Sequence, residues 1–301
     1  MVQIAQVKYG IGLNYFVGEI FMENKSIKIK KDITNTFNKV SAVFDGSGPR
    51  YFTYFGQRLV ELSDIKEGER VLDVASGKGA SLFSAADKVG QSGEVTGIDI
   101  AEGMVNEIDL EMQRRGLKNV HVMVMDAEKL EFVNETFQHI LCGFGVFFLP
   151  NYKVAFHEFM RVLKNGGRFS FTTFLRKKDE KFMWLNELFD KYLPISEDEL
   201  DEYQAEDIPE FDTEEGLYKI LNQAGFKNIQ VISEEKVFIY KDEQEWWDKL
   251  WTHGAIRTLE KIPKDVLEDF KSEVFEKLRE MKEAEGIPHT MFVLYSFGEK
   301  L

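Results

Sequence analysis

The sequence predicts an α/β fold: a doubly wound, mostly parallel seven-stranded sheet with a helical cap. Short apolar runs, several of them rich in β-branched residues, alternate with stretches of helical periodicity. A glycine pair follows the first run, and acidic residues stand at or near the ends of the first three. Alternation of this length is typical of parallel sheets that carry helices on both faces.

The first part of the chain predicts five of the strands. Residues 34–63 have helical spacing, which the turn FDGSGPRYF interrupts. The helix AEGMVNEIDLEMQRRG ends at Gly116, which suits a C-cap. The helix NYKVAFHEFMRVLKNGG is expected to stop at the pair Gly166–Gly167. The five strands are expected at 69–75, 94–100, 120–127, 137–149 and 168–174.

After residue 175 the pattern loosens, and the remaining two strands are separated by a helical insert. A helix is expected at 213–226 and strands at 228–240 and 289–297. The segments 176–212 and 241–286 mix charged and aromatic residues. We expect both segments to reach over the carboxyl ends of the sheet as a cap.

Composition excludes several classes of function. The 301 residues suit one large domain or a domain with an insertion, and the net charge of −14 disfavours nucleic acid and anionic membranes as partners. No apolar run approaches the roughly 20 residues that span a bilayer, so no membrane insertion is expected. Cys142 is the only cysteine, and no Cys/His cluster has zinc spacing. We therefore expect a cytoplasmic protein without a metal.

The stretch RVLDVASGKGASLF predicts a nucleotide site. Gly77 and Gly79 would let the backbone turn tightly against a ligand, beside the N-terminus of the next helix. Asp99 lies twenty residues past Gly79 and could accept hydrogen bonds from ribose hydroxyls. Ligands of such sheets bind at the carboxyl ends of the strands. The residues at or near those ends are Asp73, Asp99, Asp126 and Cys142.

Two cofactors are compatible with a glycine pair and one acid, namely NAD and S-adenosylmethionine. A dinucleotide fingerprint G-x-G-x-x-G that starts at Gly77 would need a third glycine where Leu82 stands. Asp73 would repel a pyrophosphate, whereas it suits the cationic amino and sulfonium groups of S-adenosylmethionine. These differences favour S-adenosylmethionine, with a NAD-dependent oxidoreductase as the alternative.

The chain resembles the class I S-adenosylmethionine-dependent methyltransferases, in particular the small-molecule branch that includes the ubiquinone/menaquinone biosynthesis methyltransferases. Four motifs carry the resemblance in order and spacing: VLDVASGKG, VTGIDIAEGMV, VMDAEKLEF and EFMRVLKNGGRFSF. It covers 36–175 well, and 213–240 and 289–297 more loosely. Ala75 and Ser76 depart from the Gly-Cys or Gly-Ser of the family's first motif, and FQHILCGFG lacks an Asp after its Phe. A Rossmann-like methyltransferase fold is thereby implied.

The resemblance also implies roles for individual residues. Asp73 would orient the methionine amino group, and Asp99 would accept both ribose hydroxyls. The backbone of the glycine loop would close on the methionine end. The backbone within the fourth expected strand would hold that end, and two apolar side chains would sandwich the adenine. The loop residues are Ala75, Gly77 and Gly79, and the backbone in the fourth strand is that of Cys142 and Gly143. The two apolar side chains are Ile100 and Met104. Asp126 and the amide of Ala127 would bind the adenine edge, and Tyr51 would close over the cofactor.

The chain accordingly divides into six parts. They are an N-terminal arm or non-native extension (1–30), the S-adenosylmethionine-binding core (31–175), a cap segment (176–212), a core continuation (213–240), a helical cap insert (241–286) and a last core strand (287–301). The arm could pack on a second subunit, so a homo-oligomer is an open expectation.

The cap is expected to bind the methyl acceptor. Trp247 and Trp251 are spaced i, i+4 and would share an apolar face, and Trp184 would join them. Such a pocket suits an apolar or aromatic small molecule, while Arg257 could bind an acidic group of it. A purely structural role in the core of the cap is the alternative for each. His253 is the candidate general base, because a free imidazole titrates near neutrality.

The predicted function is in-line methyl transfer to an apolar or aromatic metabolite. Carbon, nitrogen and oxygen acceptors are equally compatible with these residues. A protein that binds S-adenosylmethionine and transfers nothing is the further alternative.

Overall fold

One seven-stranded sheet forms the centre of the computed structural model, which describes residues 12–177, 179–193 and 209–301. The strand order is β3-β2-β1-β4-β5-β7-β6, and β7 is antiparallel to both of its neighbours. The doubly wound, mostly parallel fold is therefore confirmed. The strands are β1 (Arg70–Val74), β2 (Glu94–Asp99), β3 (Val120–Val124), β4 (Phe137–Gly143), β5 (Leu163–Phe174), β6 (Lys227–Tyr240) and β7 (Ile287–Glu299).

Helices cover both faces of the sheet and build the cap. In the described ranges they are α1 (Gly12–Val40), α2 (Tyr51–Leu62), α3 (Ala80–Val89), α4 (Glu102–Arg115), α5 (Tyr152–Val162), α6 (Met183–Tyr192), α7 (Glu214–Gln223), α8 (Glu243–Leu250), α9 (Ile256–Leu259) and α10 (Leu267–Met281). Among these, no helix combines the length and the apolar character needed to cross a membrane.

The core lies on both faces of the sheet because the strands are buried on both sides. In β1, Leu72 and Val74 pack on one face with the phenylalanines of α5 and β5. Val71 points to the other face, where it packs among residues of α2 and α3. This arrangement explains why β1 is a continuous apolar run and not an alternating one. Gly56 of α2 allows close packing on α3, since a Cβ there would lie 2.8 Å from the Cβ of Ala80.

Several element bounds differ from those expected from the sequence. The helix expected to stop at Gly166–Gly167 ends at Val162, and the glycine pair lies within β5. Leu163 already pairs with Phe137 of β4, and Gly166 donates its N–H to the carbonyl of Lys300. Sheet pairing thus begins before the glycines and ends the helix.

The strand expected at 137–149 is also shorter, since β4 ends at Gly143. A 3₁₀ turn, Val146–Phe148, follows it. The strand expected at 120–127 ends at Val124, which leaves Asp126 in a loop.

The boundary expected between residues 30 and 31 falls inside a helix, because α1 runs without a break from Gly12 to Val40. Residues 1–11 of the expected arm lie outside the described residues. Side chains on both sides of residue 30 contact the core: Ser26 accepts a hydrogen bond from Asn151, and Asn38 accepts one from the backbone of Gly103. This helix therefore belongs to the packed fold.

The segment 241–286 is helical as expected and contains α8, α9 and α10. In the segment 176–212, α6 follows a 3₁₀ turn at Glu180–Phe182, while residues 194–208 lie outside the described part. Together these helices build a hydrophobic core of their own, around Trp246, Trp247 and Phe270.

Candidate active site

A cavity of about 900 Å³ opens at the carboxyl ends of β1, β2 and β4. The strand order reverses at β1, which pairs with β2 on one side and β4 on the other. This is the position at which open α/β sheets bind ligands. Ten residues expected in the site line the cavity together: Tyr51, Ala75, Gly77, Gly79, Asp99, Ile100, Asp126, Ala127, Gly143 and His253.

The loop after β1 brings its backbone close to the cavity through left-handed residues. Ala75, Gly77 and Gly79 have φ angles of +52°, +53° and +83°. Gly79 is required for packing as well, because a Cβ would lie 2.5 Å from the ring of Phe83. The left-handed Ala75 is uncommon for a residue with a side chain. The loop therefore presents backbone rather than side chains to a ligand.

Asp99, at the end of β2, is anchored by backbone donors. Its Oδ2 accepts a hydrogen bond from the N–H of Gly77 at 2.9 Å, and its Oδ1 accepts one from the N–H of Ala101 at 2.9 Å. Each carboxylate oxygen has a second lone pair, so the group can still accept hydroxyl donors from the cavity. Burial raises the pKa of Asp99 to about 6, and the backbone donors oppose that shift.

Asp73 is fully buried beneath the cavity floor and does not line it. Its Oδ1 accepts a hydrogen bond at 2.8 Å from the hydroxyl of Ser81, a residue that lines the cavity. Its Oδ2 is buried and has no hydrogen-bond partner within the described residues. Burial raises the pKa of Asp73 to about 7. The charge of Asp99 adds to this shift, while the hydrogen bond from Ser81 and the backbone N–H of Leu82 oppose it. An orphaned acceptor of this kind fits a cationic donor such as the amino group of S-adenosylmethionine.

Asp126 contacts α1, a helix that the sequence analysis placed partly in an arm. The Nζ of Lys30 lies 2.7 Å from Oδ2 of Asp126 and 2.5 Å from Oε2 of Glu128. Lys30 of α1 also lines the cavity. The helix thus covers the side of the site where the adenine is expected, and Lys30 competes for the acceptor that Asp126 would offer.

Besides Asp73, two more of the expected cofactor residues are buried beside the cavity without lining it. Met104 packs with Val40, Ala101 and Ile256, where the end of α1 meets the cap. Its position in the first turn of α4 directs it toward α1, so it does not stand opposite Ile100 across the cavity. Cys142 is fully buried in the core, and burial raises the pKa of its thiol. Its neighbour Gly143 lines the cavity instead.

The expected acceptor residues of the cap do not line the cavity. Trp184, Trp247 and Trp251 pack in or against the core of the cap, and the indole N–H of Trp184 donates to the sulfur of Met281 at 3.3 Å. Arg257 is exposed on α9. The apolar face of α8 meets α10 because the cap helices must bury their own hydrophobic surface. The packing of these tryptophans corresponds to the alternative given above, a structural role in the core of the cap.

The aromatic wall of the cavity comes from other parts of the chain. Phe144 and Phe174, at the ends of β4 and β5, have ring centroids 4.7 Å apart. Phe44 stacks on Phe52 at 5.1 Å. The remaining rings of the wall are Phe37, Phe147 and Phe148. Ligands bind at the carboxyl ends of parallel strands, and this rule could also have identified the phenylalanines at the ends of β4 and β5. It did not do so for β4, because residues 144–149 were expected to continue the strand.

His253 is a cap residue whose side chain meets this wall. Its ring centroid lies 6.0 Å from that of Tyr51 and 5.9 Å from that of Phe52. Its Nδ1 accepts a hydrogen bond from the N–H of Ala255 at 3.3 Å, which assigns the proton of the neutral ring to Nε2. Burial, together with the charge of Lys249, lowers the pKa of His253 to about 4. This geometry favours a neutral hydrogen-bond donor over a general base.

Comparisons with known proteins agree with this architecture. The model of the ubiE/COQ5 methyltransferase family matches residues 22–236, a range that begins inside α1. The aklanonic acid methyltransferase of Streptomyces sp. (strain C5) is 44% identical over 144 residues, which cover 48% of this chain and 66% of the relative. The chain thus matches just under two thirds of that relative's length.

Two further comparisons extend over more of the chain. The demethylmenaquinone methyltransferase of Staphylococcus saprophyticus is 30% identical over 220 residues, which cover 68% of this chain and 91% of the relative. A solved structure from Bacillus halodurans C-125, assigned to the methyltransferases, superposes with a TM-score of 0.54 at 22% identity, and the match covers 81% of this chain and 98% of that one. At this identity the likeness shows the fold alone. From the family match and the relatives, the chain belongs to the ubiE/COQ5 methyltransferase family, whose cofactor is S-adenosylmethionine.

Proposed function

We propose that this chain transfers a methyl group from S-adenosylmethionine to an aromatic small-molecule acceptor held against the phenylalanine wall. The observation that supports this most directly is the division of the cavity into two chemically different ends. The glycine loop, Asp99 and Asp126 lie at the ends of β1 to β3. The rings of Phe144 and Phe174 lie at the ends of β4 and β5. A volume of about 900 Å³ lies near the upper end of small-molecule sites, which leaves room for two ligands.

At the cofactor end, the chain would bind by charge and hydrogen bonding. Asp73 would attract the amino group from below, Asp99 would accept the ribose hydroxyls, and Ile100 would pack on the adenine. S-adenosylmethionine, when bound, supplies a methyl group on an already activated sulfonium. The protein therefore needs to align the acceptor and to exclude water, which are tasks of shape and burial.

At the acceptor end, the phenylalanine rings would hold an aromatic ring system. The two named relatives act on aklanonic acid and on demethylmenaquinone, as their names state. We infer an acceptor with oxygen on or beside an aromatic ring, because His253 would donate a hydrogen bond from Nε2 to such an oxygen.

Mass spectrometry would test transfer directly. The protein is incubated with S-adenosylmethionine and either menadiol or 1,4-dihydroxy-2-naphthoate, and the products are examined for an added methyl group. Binding of S-adenosylmethionine, S-adenosylhomocysteine and NAD is measured by calorimetry alongside. Methylated product supports the proposal. Tight binding of S-adenosylhomocysteine without product from either aromatic probe would favour a protein that transfers nothing, and binding of NAD alone would overturn the proposal.

Phe174→Ala is expected to raise the KM for an aromatic acceptor about two- to tenfold, since losing an aromatic contact costs roughly 0.5–1.5 kcal/mol. The affinity for S-adenosylhomocysteine should stay within about twofold. The comparison variant is Trp247→Phe in the core of the cap, which should lower the melting temperature and leave this KM unchanged. If the two variants exchanged these effects, the acceptor would bind in the cap and not at the wall.

His253→Gln is expected to keep kcat within about tenfold of the wild type, because the amide can replace the Nε2–H donor. His253→Leu has no hydrogen-bond donor at this position, and its kcat should fall by about ten- to a hundredfold. Since burial holds the pKa of His253 at about 4, its protonation should produce no change in kcat between pH 6 and 8. A loss of rate below pH 6.5 that disappears in His253→Gln would instead identify a general base.

A further inference from the structure

A buried ion pair joins the cap to the turn between α1 and α2. The Nζ of Lys249 on α8 lies 2.6 Å from Oδ1 of Asp45, and the two side chains are only 1% and 5% exposed. Removing two charges from water costs about as much as their attraction returns, so such a pair is weak evidence for stability alone. A positional role is the better-supported use of a buried pair.

Asp45 connects the pair to the aromatic wall. Its Oδ2 accepts hydrogen bonds from the N–H and the Oγ1 of Thr53, at 3.1 Å and 2.8 Å. Thr53 lies in the first turn of α2, where backbone N–H groups have no partner inside the helix. The same turn carries Tyr51 and Phe52 into the cavity. Asp45 itself has a φ of +52°, a left-handed conformation that is uncommon outside glycine.

Lys249 connects the pair to the part of the cap that reaches the cavity. Its ammonium lies 4.5 Å from the centre of the Tyr51 ring. Its carbonyl accepts hydrogen bonds from the N–H and Oγ1 of Thr252, at 3.0 Å and 2.8 Å. His253 follows directly, and the segment 253–255 lines the cavity. One charged contact thus joins the cap segment to the first turn of α2.

We propose that the Lys249–Asp45 pair is a positioning device for the acceptor half of the cavity, which holds the cap segment 252–255 against the first turn of α2. The inference rests on the proposed function, because the acceptor is the ligand that this half would bind. Lys249 is a positioning residue that acts through His253, Tyr51 and Phe52. Asp45 also lines the cavity, but both of its carboxylate oxygens are bound by Lys249 and Thr53, so we assign it the same positioning role. The side-chain hydrogen bonds of the pair go to each other and to Thr53. Loss of the pair should therefore affect the acceptor far more than the cofactor.

The test compares Lys249→Met, Asp45→Asn and the double variant with the wild type. Hydrogen exchange of the segments 250–257 and 50–56 is measured by mass spectrometry, S-adenosylhomocysteine affinity by calorimetry, and methyl transfer to menadiol by product mass. Lys191→Met is the matched control, since it breaks the exposed pair that Lys191 makes with Glu273 in the cap.

Each single variant is expected to accelerate exchange in both segments together and to lower kcat/KM for menadiol by about ten- to a hundredfold, as expected of misplaced substrate contacts. S-adenosylhomocysteine affinity should stay within about twofold, and the control should resemble the wild type. The double variant should regain melting temperature, because no unpaired charge remains buried, yet it should not regain kcat/KM. Lys249→Arg keeps the charge and should restore part of kcat/KM.

Recovery of both melting temperature and kcat/KM in the double variant would overturn the positioning role and leave the pair a structural contact. Unchanged exchange in the segments 250–257 and 50–56 would overturn it too, and this readout needs no acceptor. Failure of the wild type to bind S-adenosylhomocysteine would contradict the proposed function itself, so the two failures are distinguishable.

Discussion

Asp99→Ala is expected to lower the affinity for S-adenosylhomocysteine by about a hundred- to ten-thousandfold. Each charge-assisted hydrogen bond to a ribose hydroxyl contributes roughly 1.5–3 kcal/mol, and the proposal assigns two of them to this carboxylate. The substitution also removes the acceptor that holds the N–H of Gly77, so the loop around the methionine end would lose its anchor. Calorimetric titration of the purified protein measures the effect.

The matched control is Glu102→Ala, an exposed acidic residue in the first turn of α4, which should bind as the wild type does. Asp99→Asn should also bind weakly. Its amide can offer only one oxygen, and its NH₂ would face one of the two backbone donors that now bind the carboxylate. Wild-type affinity in Asp99→Ala would mean that the ribose is held elsewhere in the cavity.

Asp73→Asn is expected to stabilise the ligand-free protein near pH 8 while nearly abolishing cofactor binding. The pKa of Asp73 is raised from 3.8 to about 7, mainly by burial. At a pH between these two pKa values, the Asp73 carboxyl retains its proton in the folded protein and has released it in the unfolded chain. The free energy of unfolding therefore falls by up to roughly 4 kcal/mol as pH rises from about 4 to about 7. Asparagine does not ionise, so the variant avoids this loss.

Denaturant unfolding at pH 5 and pH 8 measures this effect. The stability difference between Asp73→Asn and the wild type should be larger at pH 8 than at pH 5. Asp190→Asn, at an exposed position of α6, is the matched control. In the wild type, S-adenosylhomocysteine affinity should fall as pH drops below about 7, because a protonated Asp73 cannot pair with the amino group. A pH-independent stability difference would show that Asp73 is ionised in the free protein throughout.

The sheet and the edge at which the cavity opens were predictable because they depend on local patterns. A short apolar run followed by glycines predicts a buried strand and a tight turn wherever it occurs. The carboxyl ends of parallel strands meet at one edge, so Asp99 and Asp126 could be placed together without knowledge of packing. The element bounds expected from the sequence differed little from the observed ones. One difference is the end of α5 at Val162, where pairing of β4 with β5 overrides the helical pattern.

The composition of the cavity wall was not predictable in the same way. An aromatic residue on an amphipathic helix must be buried, but the pattern does not say against which surface. Trp247 is buried inside the cap, whereas Phe174 ends a strand and borders the cavity, where it is 37% exposed. Lys30 likewise contacts Asp126 only because α1 folds back over the sheet.

The sequence by itself determined the order of strands and helices, the family, and the acidic and glycine positions of the cofactor half, because each depends on residues close together in the chain. Only the tertiary structure decided which aromatic rings surround the acceptor half, that α1 covers the cofactor half, and that Lys249 meets Asp45. Those contacts join residues up to about 200 positions apart, and such pairs form only when complementary surfaces meet in the folded chain.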